Sequence, residues 1–213
     1  MAKKKMTIAL FFACPVMSVK LDLDLEKLTE FAFEMWNKDK KGIQHKTNKG
    51  GWHSNNISEE KHEEFEKLKK EINQYLQIYH LEIFRGMKFK EKVTQDIDNM
   101  CVNINEKHNY NEWHIHPHSI LSGAYYIKHD GSKENGELLL KHPNHPYMSS
   151  SHWPQHIMKK TNEVTSGIIH VTPASNSLFI FPSWLEHKVG NNLKTNSRIS
   201  VSFNSSPILE KKS

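Results

Sequence analysis

Residues 98–128 read DNMCVNINEKHNYNEWHIHPHSILSGAYYIK, and this segment gives the clearest indication of the fold class. Runs of Val, Ile and Tyr alternate here with breaks at Asn, Pro and Gly, and the same texture continues to residues 186–204, EHKVGNNLKTNSRISVSFN. Many short strands with turn signals between them are typical of a sandwich or barrel. The predicted strands are Met100–Asn105, Ile120–Lys128, Glu137–Lys141, Gly167–Thr172, Ser177–Phe181, Glu186–Gly190 and Arg198–Asn204.

Two amphipathic helices are predicted ahead of these strands. Asp24 can cap the first helix, and the second runs from about Ser58 to Tyr79 with apolar residues at helical spacing. Helices followed by seven or more strands predict a mainly β fold, a jelly roll braced by N-terminal α-helices. We expect a single domain over 1–213, with helical support over 20–80 and the jelly-roll core over 98–205.

Composition argues against several classes of protein. The formal charge of +5 comes largely from two lysine-rich tails, so we expect no nucleic-acid surface. No run approaches the ~20 apolar residues that a membrane span needs. Residues Ile8–Val16 favour a first strand over a secretory signal. Cys14 and Cys101 form no Cys-x-x-Cys motif, which suits a reducing, cytoplasmic location.

Three histidines have the spacing of a metal site. If the chain before Pro117 forms a regular strand, Glu112, His114 and His116 are each two residues apart and project from the same side. His187 follows a predicted strand and turn and can supply a third ligand. Imidazole suits iron, zinc, copper and nickel, and three protein ligands leave the open position of a catalytic site.

Arg198 and Ser200 form a second polar pair on one face of a strand. The planar guanidinium binds a carboxylate through two parallel hydrogen bonds, and the Ser200 hydroxyl can add a third. An arginine that points into a β core is costly without an anionic partner. Either a ligand or a protein carboxylate could fill that role.

These motifs resemble those of the Fe(II)- and 2-oxoglutarate-dependent oxygenases. The pattern of that family is His-x-Asp/Glu, a distal His, and Arg-x-Ser about ten residues on. The chain is most similar to a family found in bacteria and phages whose segments read His-x-His-Pro, Ser-Gly-x-Tyr-Tyr and Phe-Pro-Ser-Trp-Leu-x-His. Here these stand at 114–117, 122–126 and 181–187. The closing segment, Arg-Ile-Ser-x-Ser-Phe-Asn, stands at 198–204.

The resemblance implies a double-stranded β-helix, a cupin-like jelly roll, with Fe(II) held by His114, His116 and His187. It further implies that 2-oxoglutarate pairs with Arg198 and Ser200, with Asn103 as another contact. Tyr125 or Tyr126 could also reach the cosubstrate, and we expect Tyr125; strand alternation allows only one of them to face inward. The implied reaction uses O2 to hydroxylate an unidentified substrate and releases succinate and CO2. A phage-encoded chain would act in the host cytoplasm.

One residue departs from the oxygenase pattern. His116 stands where a carboxylate ligand is usual, which removes one negative charge from the site. Glu112 could replace that ligand, but we expect it to orient a histidine instead; His118 is a weaker alternative ligand. Two other functions remain open: a three-histidine cupin-type metalloenzyme that uses no 2-oxoglutarate, and a non-catalytic jelly-roll binding module. The long segment 142–163 could be a lid, a substrate loop or a plain surface loop.

Overall fold

The computed structural model describes residues 13–44, 47–84, 93–150 and 157–209. Eleven strands and two long helices organise them. In chain order the elements are β1 Met17–Lys20, α1 Leu25–Lys38, β2 Asn48–Lys49, β3 Trp52–His53, α2 Glu63–Ile83, β4 Val93–Asn105, β5 Tyr110–His114, β6 Leu121–Lys128, β7 Leu138–Lys141, α3 His145–Met148, β8 Ile168–Val171, β9 Ser177–Pro182, β10 His187–Val189 and β11 Arg198–Leu209.

The two long helices form where the sequence predicts them. Asp24 caps α1 by accepting hydrogen bonds from the backbone N–H groups of Glu26 and Lys27, both at 3.1 Å. Each helix buries one apolar stripe, as its 3.6-residue period requires. The buried apolar residues are Leu28, Phe31, Ala32 and Met35 in α1, and Phe65, Leu68, Ile72, Leu76 and Tyr79 in α2.

The strands form two antiparallel sheets. The larger sheet has the order β1-β9-β6-β11-β4-β3, and the smaller has the order β2-β5-β10-β7-β8. The helices pack on the outer face of the larger sheet, in one apolar cluster with strand residues such as Val102, Ile127 and Val201. A second apolar cluster, which includes Leu138, Leu140 and Phe181, lies between the sheets. The mainly β, double-stranded β-helix class is confirmed.

Strand alternation divides β11 between these two environments. Ile199, Val201 and Phe203 belong to the apolar cluster under the helices. Arg198, Ser200 and Ser202 project to the opposite side and line a cavity between the sheets. The polar half of β11 therefore faces the interior of the jelly roll.

Most predicted elements are confirmed, with shifted ends. The strand predicted from Met100 begins at Val93, and the helix predicted from Ser58 begins at Glu63. The prediction of a strand over Ile8–Val16 falls mostly outside the described residues, and the described part, 13–16, precedes β1. The short strands β2 and β3 were not predicted, because their region is polar and rich in glycine.

The long segment 142–163 and the two cysteines were also singled out in the sequence. The segment 142–163 contains the short helix His145–Met148, and residues 151–156 lie outside the described parts. Cys14 and Cys101 are both free thiols. No helix in the described parts of the chain has the length and apolar character needed to cross a membrane.

Candidate active site

His114, His116 and His187 converge on one point in the smaller sheet. His114 ends β5 and lies directly opposite His187, the first residue of β10. His116 follows two residues later, where its backbone N–H donates to the carbonyl of Ser183 at 3.0 Å. One ligand atom from each of the three side chains lies within 4.8 Å of the others. This is the spacing that a single bound metal ion needs.

Two of the imidazoles are oriented by backbone carbonyls. Nδ1 of His114 lies 2.7 Å from the carbonyl of Glu112, and Nδ1 of His187 lies 2.8 Å from the carbonyl of Leu185. In each ring Nδ1 is therefore the donor, which leaves the lone pair on Nε2. Nε2 of His187 is 3.3 Å from Nε2 of His116. Such orienting hydrogen bonds are usual for metal-binding histidines.

The environment of His187 keeps its ring neutral. The side chain is buried at one end of the cavity, with the ring of Phe181 at a centroid distance of 4.7 Å. Burial, and then the neighbouring His114 and His116, lower the pKa of His187 to about 3. A neutral imidazole is the form that binds a metal. The donor set therefore fits a divalent ion such as Fe(II), for which imidazole is a suitable ligand.

A β-bulge removes Glu112 from this cluster. His114 pairs with His187 and Asn111 pairs with Val189, so three steps on β5 match two on β10. The extra residue breaks the alternation that would have placed Glu112 beside His114. Only the backbone carbonyl of Glu112 contacts a ligand histidine, so the predicted orienting role belongs to that carbonyl. His118 is exposed and lies outside the three-histidine cluster.

Arg198 lies at the other end of the cavity. Only 1% of the residue is exposed, and burial lowers the pKa of its guanidinium to about 10. Nη1 donates to the carbonyls of Asn135 and Gly190, at 2.9 and 3.0 Å. In the described parts of the chain no carboxylate pairs with Arg198. Of the two partners that the sequence allows for Arg198, a protein carboxylate is therefore absent from the described residues. The buried positive charge of Arg198 suits the other partner, an anionic ligand.

Asn103, Ser200 and one tyrosine lie between the two ends of the cavity. Asn103 on β4 faces Ser200 on β11 in the strand register, and both line the cavity. Tyr126 also lines it, and burial raises its pKa to about 12, a rise that nearby Arg198 opposes. Tyr125 points the other way, into the cluster under the helices, where its hydroxyl donates to Oδ1 of Asn176. Tyr126, and not the predicted Tyr125, is therefore the tyrosine that faces the cavity.

One cavity of about 700 Å³ connects these groups. It contains the three histidines at one level of the smaller sheet and Arg198 near the far end of β10. Leu138, Phe181 and Val189 supply apolar surface between them. Most of the other lining residues are polar, among them Asn103, Asn111 and Ser200. Polar groups that converge in a cavity are typical of a small-ligand site.

Comparison with known proteins identifies the class of this site. Residues 99–204 match a family model described as "Putative 2OG-Fe(II) oxygenase", where 2OG is 2-oxoglutarate. The matched segment includes every candidate site residue, from Asn103 to Ser200. No curated protein matches the chain by sequence.

Several solved structures share the fold at low identity. A prolyl-4-hydroxylase from Pseudomonas putida has a TM-score of 0.59 and 12% identity, over 90% of this chain and 92% of that one. A prolyl hydroxylase from Trichoplax adhaerens has a TM-score of 0.60 and 12% identity, over 90% and 83%. HygX from Streptomyces hygroscopicus, solved with nickel and 2-oxoglutarate bound, has a TM-score of 0.57 and 10% identity, over 91% and 83%.

The fold and the matched segment together define a non-haem iron oxygenase built on a double-stranded β-helix. Residues 99–204 of the chain belong to the family of 2-oxoglutarate- and Fe(II)-dependent oxygenases, which confirms the resemblance seen in the sequence. It is thus an oxidoreductase, and membership of the family implies Fe(II) and 2-oxoglutarate as its cofactors.

Proposed function

We propose that His114, His116 and His187 hold Fe(II), and that Arg198 and Ser200 bind the far carboxylate of 2-oxoglutarate. The observation that carries the proposal is the buried Arg198, which has no carboxylate partner in the described residues and shares one cavity with the three histidines. A dicarboxylate between them would satisfy the metal at one end and the guanidinium at the other.

We further propose that the enzyme hydroxylates its substrate. The bound iron and 2-oxoglutarate supply the oxidising chemistry: one atom of O2 enters the substrate C–H bond as hydroxyl, and the other enters succinate as CO2 leaves. The chain itself contributes ligands, orientation and a dry site. Its substrate is a third occupant of the cavity, beside the two cofactors.

Each contact in the cavity has a specific role in holding 2-oxoglutarate. Arg198 offers the charge, and its carbonyl partners fix the plane of the guanidinium through Nη1. Asn103 and Tyr126 line the path between Arg198 and the histidines, and the Tyr126 hydroxyl can donate to the cosubstrate oxygens. The apolar side chains of Leu138 and Val189 exclude water, which strengthens these charge-assisted hydrogen bonds.

The three-histidine set changes the charge of the metal site. Histidine ligands are neutral, so bound Fe(II) keeps its double positive charge until the anionic keto acid end of 2-oxoglutarate arrives. We therefore propose that 2-oxoglutarate strengthens metal binding, and by reciprocity that the metal strengthens binding of 2-oxoglutarate.

Anaerobic titration of Fe(II) and 2-oxoglutarate tests the proposal directly. Chelation of the metal by the keto acid should give a visible charge-transfer band, and calorimetry should give one 2-oxoglutarate per chain. His187→Ala should remove the band, whereas His118→Ala, a matched change of an exposed histidine at the cavity, should keep it. Absence of both the band and the binding heat in the wild-type protein contradicts the proposal. Metal binding without any 2-oxoglutarate binding would favour the three-histidine enzyme that needs no keto acid.

A further inference from the structure

Asn111 is a cavity residue that the metal and carboxylate motifs do not include. It lies on β5, opposite Val189 on one side and opposite Asn48 of β2 on the other. Its side chain lines the same cavity as the three histidines and Arg198. The β-bulge in β5 makes this possible, because it lets both Asn111 and His114 face inward although they are three residues apart.

The carbonyl oxygen of the Asn111 amide is unpaired in the part of the chain that the structure describes. This atom, Oδ1, is buried and has no hydrogen-bond partner among the described residues. The neighbouring amides differ, because Nδ2 of Asn48 donates to the carbonyl of Gly51 at 2.5 Å and Nδ2 of Asn103 donates to Ser202 at 3.1 Å. Buried amides in native proteins are nearly always paired, so an unpaired one calls for an explanation.

The position of Asn111 indicates which ligand would pair with it. Val189, directly opposite, precedes Gly190, whose carbonyl accepts from Nη1 of Arg198 at 3.0 Å. Asn111 therefore lies towards the Arg198 end of the cavity, beyond the level of the histidines. A carboxylate bound there is an acceptor at every lone pair, so an additional N–H donor beside Arg198 and Ser200 can pair with it.

We propose that Asn111 is a further 2-oxoglutarate-binding residue, whose Nδ2 donates to the far carboxylate that Arg198 binds. This inference rests on the proposed function for the identity of the ligand. Rotation of the amide exchanges Nδ2 and Oδ1, so the N–H groups can turn towards the cavity whichever way the free side chain rests. The contact is charge-assisted and lies in a water-poor site, which makes it stronger than a neutral hydrogen bond.

The test is calorimetric titration of 2-oxoglutarate into the full-length, Mn(II)-loaded protein, without turnover. Asn111→Ala should weaken binding about 10-fold, the effect of losing one charge-assisted hydrogen bond. Asn111→Asp should weaken it further, because a second anion would face the carboxylate. Asn73→Ala is the matched control: Oδ1 of Asn73 is also buried without a partner, but Asn73 lies on α2 and does not line the cavity. This control should bind 2-oxoglutarate like the wild type.

A second ligand shows which end of 2-oxoglutarate Asn111 contacts. Pyruvate has the keto acid end but no far carboxylate, so Asn111→Ala should leave its affinity unchanged. Asn111→Ser provides a second, smaller change if the alanine variant folds poorly, and Mn(II) affinity without keto acid should be normal in both.

Three outcomes separate the inference from the function on which it rests. Wild-type affinity for 2-oxoglutarate in folded Asn111→Ala or Asn111→Ser, together with weakened binding in Arg198→Lys, overturns the role of Asn111 alone. An equal loss of pyruvate and 2-oxoglutarate affinity also overturns it, since the contact would then not be to the far carboxylate. No binding of 2-oxoglutarate to the wild-type protein overturns the proposed function itself.

Discussion

Gly136 and Arg198 are packed so closely that a Cβ added at Gly136 would lie 1.8 Å from Nη1 of Arg198. The same Cβ would lie 2.6 Å from the carbonyl oxygen of Gly190, which holds that guanidinium in place. Gly136 also has a positive φ of 97°, which side chains other than hydrogen rarely permit. Arg198 can occupy this position only because residue 136 has no side chain.

Gly136→Ala should therefore displace Arg198. We expect 2-oxoglutarate affinity to fall by roughly 10-fold or more, together with a loss of about 1–3 kcal/mol in the free energy of unfolding. Gly131→Ala is the matched control, because Gly131 has a positive φ of 77° but nothing within 4 Å of its added Cβ. Calorimetry and urea unfolding of both variants measure the two effects. Equal 2-oxoglutarate affinities in the two variants would contradict the prediction.

The two adjacent tyrosines should respond in opposite ways to loss of the hydroxyl. Tyr126→Phe should weaken 2-oxoglutarate binding by roughly 3- to 10-fold, since Tyr126 lines the cavity near Arg198. Tyr125→Phe should leave that binding unchanged and cost about 1 kcal/mol of stability, since its hydroxyl donates to Asn176. Binding calorimetry and thermal unfolding of each variant test the pair. Weaker 2-oxoglutarate binding in Tyr125→Phe, with normal binding in Tyr126→Phe, would show that Tyr125 is the tyrosine in the site.

His116→Asp should convert the metal site to the more usual two-histidine, one-carboxylate set. A carboxylate adds a negative charge next to the ion, so Fe(II) binding without 2-oxoglutarate should tighten by roughly 10-fold. Addition of 2-oxoglutarate should then strengthen metal binding less than it does in the wild type. Anaerobic metal-competition titrations with and without 2-oxoglutarate measure both quantities. Unchanged metal binding in His116→Asp would show that position 116 does not ligate the ion.

Glu64 should make stability depend on pH below neutrality. Its side chain is 4% exposed, and the backbone N–H of Asp24, with Lys67 in addition, holds the pKa of Glu64 below its ordinary value of 4.5. A lowered folded pKa means that the contribution to stability is present above 4.5 and is lost as pH falls through the folded pKa.

Glu64→Gln should therefore lose about 1 kcal/mol of unfolding free energy at pH 7 and progressively less below pH 4.5. Glu63→Gln is the control, because Glu63 contacts the same Lys67 from an exposed position and should change stability little. Urea unfolding over this pH range gives the result. A pH-independent difference between Glu64→Gln and wild type would argue against the ionised form as the stabilising one.

Local patterns were sufficient for most of the fold. Apolar residues at helical spacing predicted α1 and α2, because each helix must bury one stripe against the sheet. Two-residue alternation and turn residues predicted the main strands of both sheets. The strands β2 and β3 were missed because each is two residues long, and so short a pairing carries no detectable period.

The candidate site was predicted less completely than the fold. The assumption of a regular strand put Glu112 beside His114, and the β-bulge in β5 removes it. The same bulge turns Asn111 inward, and no motif in the sequence indicated that residue. Strand alternation established that only one of Tyr125 and Tyr126 faces the cavity, but not which one. The choice depends on which face of β6 packs against the helices and which faces the smaller sheet.

The amino-acid sequence was sufficient to predict the chemical groups of the site and the fold: three histidines, an Arg-x-Ser pair and the jelly-roll pattern of 2-oxoglutarate oxygenases. These follow from residue identity and spacing, which are local properties of the chain. The tertiary structure alone decided that Arg198 has no carboxylate partner among the described residues, that Gly136 makes room for it, and that Tyr126 and Asn111 face the cavity. Those facts depend on contacts between distant strands and on a one-residue bulge, and such contacts form only when both sheets pack.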